Sequence, residues 1–205
     1  MRIFLSSINA SSVEPLPDVR EQLFATLMAN AQGGANAQFA ASMLASWYTE
    51  EGVMPAYMGL TPDSYAAMMD RFFSGVVWPD MPARDEAWVD KMPEKAELET
   101  LFAEYARDED VERQWIASML IAGCIGHRHL WEDLGLFSRQ DLSAMIAENF
   151  PELAIKNDRD MKWKKFIYKQ LCEREGIVAC PAPSCDACAD FSDCFAPENE
   201  PSLTT

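Results

Sequence analysis

Basic residues are scarce in this sequence. The 205 residues include 17 lysines and arginines against 33 aspartates and glutamates, which gives a formal net charge of −16 at pH 7. A general nucleic-acid binder needs a basic face that replaces phosphate counterions. An anionic membrane surface likewise attracts basic segments rather than acidic ones. The charge balance therefore argues against nucleic acid and membrane as partners.

The sequence also lacks a long apolar run. Arg2 is followed by only three consecutive apolar residues, too few for a secretory signal. Residues 22–49 carry no charge, but Gln32, two glycines and Asn36 interrupt them, which favours two core helices joined by a turn over a membrane span. We therefore predict a cytoplasmic protein. Thiols stay reduced there, and clustered cysteines more often bind metal or do redox work than form disulfides.

Strand-type alternation with turn punctuation is missing as well, so we predict an all-α fold. Helices are expected over residues 18–31, 36–50, 61–73, 94–106, 109–126, 138–150 and 157–175. Thr61 and Ser138 are the predicted caps of their helices, Asn157 or Asp158 is expected to cap the last one, and Gly176 is expected to end it. The predicted organisation is a flexible arm, a helical domain, an irregular cysteine-rich cluster-binding segment and a disordered tail, over residues 1–17, 18–176, 177–198 and 199–205.

Cysteine is distributed unevenly, since five of the six cysteines fall within the last 34 residues. Four of them form a C-x4-C-x2-C-x5-C array: Cys180, Cys185, Cys188 and Cys194. Zinc sites usually pair two cysteine knuckles across a longer spacer, whereas the four-then-two step also occurs in plant-type ferredoxins. The spacing therefore favours an iron–sulfur cluster over zinc, with disulfides as the further alternative. A proline-rich tail with little apolar periodicity needs such a cross-link to be ordered.

Two other cysteines and two histidines are weaker candidates. Cys172, near the end of the last predicted helix, is either a ligand or a thiol without a role. Cys124 lies in an uncharged run and is expected to be a small core residue. His127 and His129 are the only histidines, and a spacing of two does not put both on one helical face. Each is either a capping or core residue or, since histidine can replace cysteine at a cluster, a metal ligand.

The scarce basic residues are concentrated just before the array. Residues 156–174 carry seven positive and three negative groups, whereas residues 175–205 carry six negative groups and no positive one. Three lysines recur on one helical face: Lys162, Lys165 and Lys169. This stripe is either an ordinary solvated face or a basic surface that offsets the charge of the thiolates and attracts an oxyanion.

The second half of the chain resembles the NifQ family. The family motif HLW-x-DLGL is matched by residues 129–136, and the Met-Lys-Trp-Lys-Lys-Phe run of residues 161–166 and the cysteine array follow in the family's order. This specific resemblance covers about residues 112–198, while the first half is similar only in its helical character. One departure is Ala196, because the family often has glycine at that position after Cys-Phe.

The resemblance implies a carrier of metal rather than an enzyme. It implies an iron–sulfur cluster, of 4Fe–4S or Mo–3Fe–4S type, and donation of molybdenum to assembly of the iron–molybdenum cofactor of nitrogenase. The implied cluster ligands are Cys180, Cys185, Cys188 and Cys194. Cys172 and His129 match family positions and are further candidate metal ligands. The expected partners are molybdate or sulfur-bound molybdenum, which Lys162, Lys165 and Lys169 could attract, and nitrogenase cofactor-assembly proteins.

Two other function classes stay open. One is a redox carrier or a structural iron–sulfur clasp, since some nucleases have a related terminal cysteine array. A nuclease is disfavoured by the acidic charge, and a small electron carrier would not need so large a helical domain. The other is a zinc-bound interaction module.

Overall fold

The computed structural model describes residues 18–76, 92–106, 108, 110–176, 185, 188 and 191–198. Within these ranges every regular element is a helix, which confirms the all-α prediction. None of the described helices is long and apolar enough to cross a membrane. The predicted arm over residues 1–17, the predicted ligand Cys180 and the predicted tail over residues 199–205 lie outside the described residues.

The described α-helices run in this order: α1 (Val19–Ala29), α2 (Ala35–Tyr48), α3 (Pro62–Phe73), α4 (Lys95–Tyr105), α5 (Val111–Cys124), α6 (Leu130–Leu134), α7 (Arg139–Asn149), α8 (Pro151–Lys156), α9 (Trp163–Arg174) and α10 (Phe191–Phe195). A short 3₁₀ turn over Ala56–Gly59 precedes α3. Helix α2 is the most deeply buried of the long helices, with eleven of its fourteen residues buried, and it packs against α1 and α7.

Side-chain caps begin the helices where the sequence predicted them. The Thr61 hydroxyl accepts a hydrogen bond from the Ser64 amide at 3.2 Å, and Pro62 occupies the first turn of α3. The Ser138 hydroxyl accepts from the Asp141 amide at 3.2 Å at the start of α7. Such caps satisfy amides that have no partner within the helix, and they depend only on residues nearby in the sequence.

The predicted start of the last long helix is wrong, because α9 begins at Trp163 rather than after Asn157 or Asp158. The Asn157 side chain brackets a turn instead: its oxygen accepts from the Met161 amide at 2.8 Å, and its nitrogen donates to the Met161 carbonyl at 2.9 Å. Asp160 in this turn has a φ of 57°, which a helix does not allow. The predicted stop at Gly176, with a φ of 68°, is confirmed.

Three short helices were not predicted: α6, α8 and α10. Each spans five or six residues, which is too short for helical periodicity to show in the sequence. The sequence predicts the helix of residues 138–150 to end near Pro151. In the structure, Pro151 is also the first residue of α8, which directly follows α7. Helix α10 lies inside the segment that was predicted to be irregular.

The apolar core belongs to the helical body. Every buried apolar residue of the described ranges lies between Leu27 and Leu171. From the C-terminal segment, Cys185, Cys194 and Phe195 are only partly buried and pack against the edge of this core. The fully buried apolar residues of the described ranges thus all belong to the body, and the described array cysteines lie at its edge.

Gly135 fixes the approach of α6 to α2, and its replacement by alanine should destabilise the body by about 3 kcal/mol. Its φ is 78°, and an added Cβ would lie 2.5 Å from the Ser46 Cβ. Gly75 has a similar φ of 82° but no described atom within 4 Å, so Gly75→Ala adds backbone strain alone and should cost about 1 kcal/mol. Urea unfolding followed by far-UV circular dichroism measures both, and equal losses would contradict the role of the Ser46 contact.

Candidate metal centre

Three of the four array cysteines are described, and each is partly exposed. The Cys188 amide donates a hydrogen bond to the Cys185 carbonyl at 3.1 Å, so these two residues form a tight turn. The Phe191 amide then donates to the Cys188 carbonyl at 3.3 Å and leads the chain into α10, which carries Cys194. The C-x2-C spacing is therefore a turn, as a pair of ligands to one centre requires.

The segment docks at the start of α9. The Lys162 amide, next to the first residue of α9, donates to the Cys194 carbonyl at 2.8 Å. The N-terminal end of a helix carries partial positive charge, which favours anionic groups nearby. The backbone of Cys194 is thus held at the positive end of α9.

Arg159 also approaches the segment. The rings of Phe191 and Phe195 stack with centroids 4.4 Å apart, and the Arg159 guanidinium carbon lies 5.7 and 5.3 Å from them. These are cation–π distances. Two basic residues therefore contact this segment: Arg159 through the rings of Phe191 and Phe195, and Lys162 through its backbone amide.

The predicted lysine stripe is only partly at the array. Lys162 lies at the junction with Cys194, but Lys165 is exposed further along α9. Lys169 forms a salt bridge with Glu173 one turn on. Of the three lysines, Lys162 is the one for which the contacts support a role beside the array.

Sequence reasoning missed Lys164, which is the most constrained lysine of α9. Its ammonium pairs with a carboxylate oxygen of Asp133 and donates to the Gly126 carbonyl at 2.8 Å. Asp133 is completely buried, and it also accepts from the Arg128 amide at 3.1 Å. This pair joins α9 to α6 and holds residues 126–129, the loop that carries both histidines.

His129 lies where α6 begins and faces the C-terminal segment. Its Nδ1 is 3.6 Å from Oε1 of Glu198, and its amide donates to Glu132 at 3.0 Å. Glu198 is buried, and its Oε2 is 3.2 Å from Nε of Arg139. Burial raises the pKa of the Glu198 carboxyl, while the nearby charges of Arg139 and Lys162 oppose that rise. His129 is therefore next to Glu198, four residues after Cys194, whereas His127 is exposed.

The NifQ family model matches residues 39–196, which is 158 of the 205 residues. The chain belongs to the NifQ family. Curated relatives named Protein NifQ include those of Azotobacter vinelandii, 37% identical over 71% of this chain and 80% of the relative, and of Rhodobacter capsulatus, 43% identical over 72% and 80%. The Klebsiella pneumoniae Protein NifQ is 33% identical over 73% of this chain and 92% of the relative. No solved structure matches the chain.

The match widens the resemblance seen in the sequence. It begins within α2, so it includes helices of the first half for which only a general helical character had been recognised. It ends at Ala196 and so contains all six cysteines of this NifQ chain. The helical body and the cysteine array are therefore parts of one family unit.

The described residues do not form a complete metal site by themselves. Among them, no group of three His, Cys, Asp or Glu side chains converges as metal ligands do. Cys172 is ten residues after Lys162, which corresponds to about 15 Å along a helix. It thus lies at the opposite end of α9 from the residue that contacts Cys194. Its role as a ligand, like that of Cys180, stays a prediction.

Cys124 should resist alkylation in native NifQ. It is buried in the core as predicted, and burial raises the pKa of its thiol to about 12. The reactive thiolate is then about one part in ten thousand at pH 8. Iodoacetamide labelling at that pH, located by mass spectrometry, should modify the partly exposed Cys172 in the native protein and Cys124 only after unfolding. Equal labelling of both thiols in the native state would contradict the packing of Cys124.

Proposed function

We propose that this NifQ chain is a metal-cluster carrier. It would bind an iron–sulfur cluster through Cys180, Cys185, Cys188 and Cys194, take up molybdenum and donate it to assembly of the iron–molybdenum cofactor of nitrogenase. Family membership carries the proposal, because the matched residues contain the complete cysteine array. The chain would transfer metal rather than turn over a substrate.

The donor set fits such a cluster. Thiolates are soft ligands that suit iron–sulfur clusters and sulfur-bound molybdenum better than hard cations. The three described array thiols are partly exposed, and Arg159, Lys162 and the start of α9 supply positive charge beside them. When bound, a cluster would supply sulfide as an additional soft ligand for molybdenum.

The residues around the array have separate proposed tasks. Lys162 would attract molybdate as a point charge, and Lys165 and Lys169 would extend that field along α9. His129 would offer an imidazole at the edge of the array, where it could bind a metal atom of the cluster that has no cysteine ligand. The cytoplasmic location and the cofactor-assembly partners stay predictions that follow from this role.

Metal analysis of anaerobically purified protein, together with its electron paramagnetic resonance spectrum, tests the proposal. Iron and acid-labile sulfide, with molybdenum bound after incubation with molybdate and reductant, are expected. Iron and sulfide without molybdenum under any loading condition would contradict the donor role and favour a redox or structural cluster. A colourless preparation with stoichiometric zinc would favour a zinc-bound interaction module.

A further inference from the structure

We propose that Glu198 is a positioning residue that fastens the end of the cysteine segment, residues 191–198, to the helical body. Its carboxylate would keep Cys194 and His129 within one site before any metal is bound. The metal-related consequence rests on the function proposed above, but the fastening itself does not.

Burial singles Glu198 out. Among the described residues after Gly176, Glu198 alone is buried, with 6% of its surface exposed, whereas Phe191 and Asp193 are exposed. A carboxylate is buried at a considerable cost unless cations or donors compensate for lost hydration. A buried acid at the end of an otherwise exposed segment therefore indicates a specific contact.

That contact is with two side chains of the body, a guanidinium and an imidazole. Oε2 of Glu198 lies 3.2 Å from Nε of Arg139, and Oε1 lies 3.6 Å from Nδ1 of His129. Arg139 is held in turn by Asp160, whose Oδ2 accepts from Nη1 at 2.7 Å. Nη2 of Arg139 donates to the Asp160 and Met161 carbonyls at 3.2 and 3.3 Å. One carboxylate thus connects the segment to the starts of α6 and α7 and to the turn before α9.

The Glu198 contact and the Cys194 contact act on the same junction. Arg139 holds residues 160–161, and the next residue, Lys162, donates its amide to the Cys194 carbonyl. Fixing Glu198 on Arg139 therefore restrains the position of Cys194, four residues earlier in the chain. Arg159 also approaches the rings of Phe191 and Phe195, but Phe191 is 39% exposed, and cation–π contacts at exposed sites are weak.

Proteolysis of the reduced, metal-free, full-length protein tests the fastening. Chymotrypsin cleaves after Phe191 and Phe195, so it reports release of the segment directly. Glu198→Gln keeps the shape of the side chain and removes its charge, and cleavage at these two bonds should become about tenfold faster. Asp193→Asn removes the same charge from an exposed position of the same segment and should leave the rate unchanged.

Three further variants separate fastening from a general fold defect. Glu198→Asp keeps the carboxylate and should give an intermediate cleavage rate, while far-UV circular dichroism should show unchanged helix content in Glu198→Gln, Asp193→Asn and Glu198→Asp. The double variant Arg139→Gln with Glu198→Gln should be cleaved more slowly than the product of the two single effects predicts, because the two residues share a contact. If Glu198→Gln is cleaved as slowly as the wild type and Asp193→Asn, the proposal is overturned.

Iron reconstitution separates this inference from the proposed function. Wild-type and Glu198→Gln proteins should reach the same iron content, because the thiols are unchanged, but the variant should load several-fold more slowly. Equal loading rates would overturn the link between fastening and metal binding. If the wild type takes up no iron at all, the proposed function fails, and the cleavage rates still decide whether Glu198 holds the segment.

Discussion

Lys164→Met is expected to lower the free energy of unfolding by about 3 kcal/mol, because it leaves the Asp133 carboxylate buried without its cation. Asp133 is completely buried, and its pair with Lys164 joins α6 to α9. The substitution also removes the donor to the Gly126 carbonyl. Urea unfolding at pH 7, followed by far-UV circular dichroism, measures the loss.

The neighbouring lysine provides the control. Lys165→Met removes the same charge from an exposed position of α9 and should change the free energy of unfolding by less than about 0.5 kcal/mol. Combining Asp133→Asn with Lys164→Met should recover part of the loss, because no uncompensated charge then remains buried. Equal effects of Lys164→Met and Lys165→Met would contradict the account of this pair.

The effect of the pair of Asp133 with Lys164 can also be measured locally, in the loop of residues 126–129. The Arg128 amide donates to Asp133, so its hydrogen exchange depends on the carboxylate staying in place. In Lys164→Met this amide should exchange faster than in Lys165→Met. Since Arg128 lies between His127 and His129, such a change would show that α9 controls the order of the histidine loop.

The parts of the fold that sequence predicts well are those with local causes. Thr61 and Ser138 each cap the helix that directly follows them, and their hydroxyls bond to amides three residues away. Asn157 has equal capping propensity, but its side chain closes a turn onto Met161, and α9 begins only afterwards. Whether an asparagine caps a helix or a turn depends on the conformation of the following residues, here the left-handed Asp160.

The residues of the candidate site likewise divide into those with a local sequence signal and those without one. The cysteine array and its family resemblance are visible in the sequence, because ligand spacing is a local pattern. Lys164 was missed because the predicted stripe comprised only Lys162, Lys165 and Lys169, and the partner of Lys164, Asp133, belongs to a helix far earlier in the chain. Glu198 gave no local signal either, since its burial depends on Arg139, which belongs to a helix far earlier in the chain.

Cys185→Ser should abolish most iron binding while leaving the helical body folded. Removing one thiolate of the array should weaken iron binding by at least about tenfold. The free energy of unfolding of the metal-free protein should change by less than about 0.5 kcal/mol, because the buried apolar residues lie between Leu27 and Leu171. Iron and sulfide analysis after anaerobic reconstitution, with urea unfolding of the metal-free protein, tests both parts.

Cys172→Ser is the matched control, since it makes the same atomic change at the far end of α9 from Lys162. If Cys172 is not a ligand, Cys172→Ser keeps the iron that Cys185→Ser loses. The reason would be that α9 separates Cys172 from the junction of Lys162 with Cys194. Iron loss in both variants would instead make Cys172 a ligand and would require the cysteine segment to leave the start of α9 on binding metal. Global unfolding of Cys185→Ser would contradict a self-supporting body and favour a structural clasp, because a donor needs a scaffold that stays folded after its metal has left.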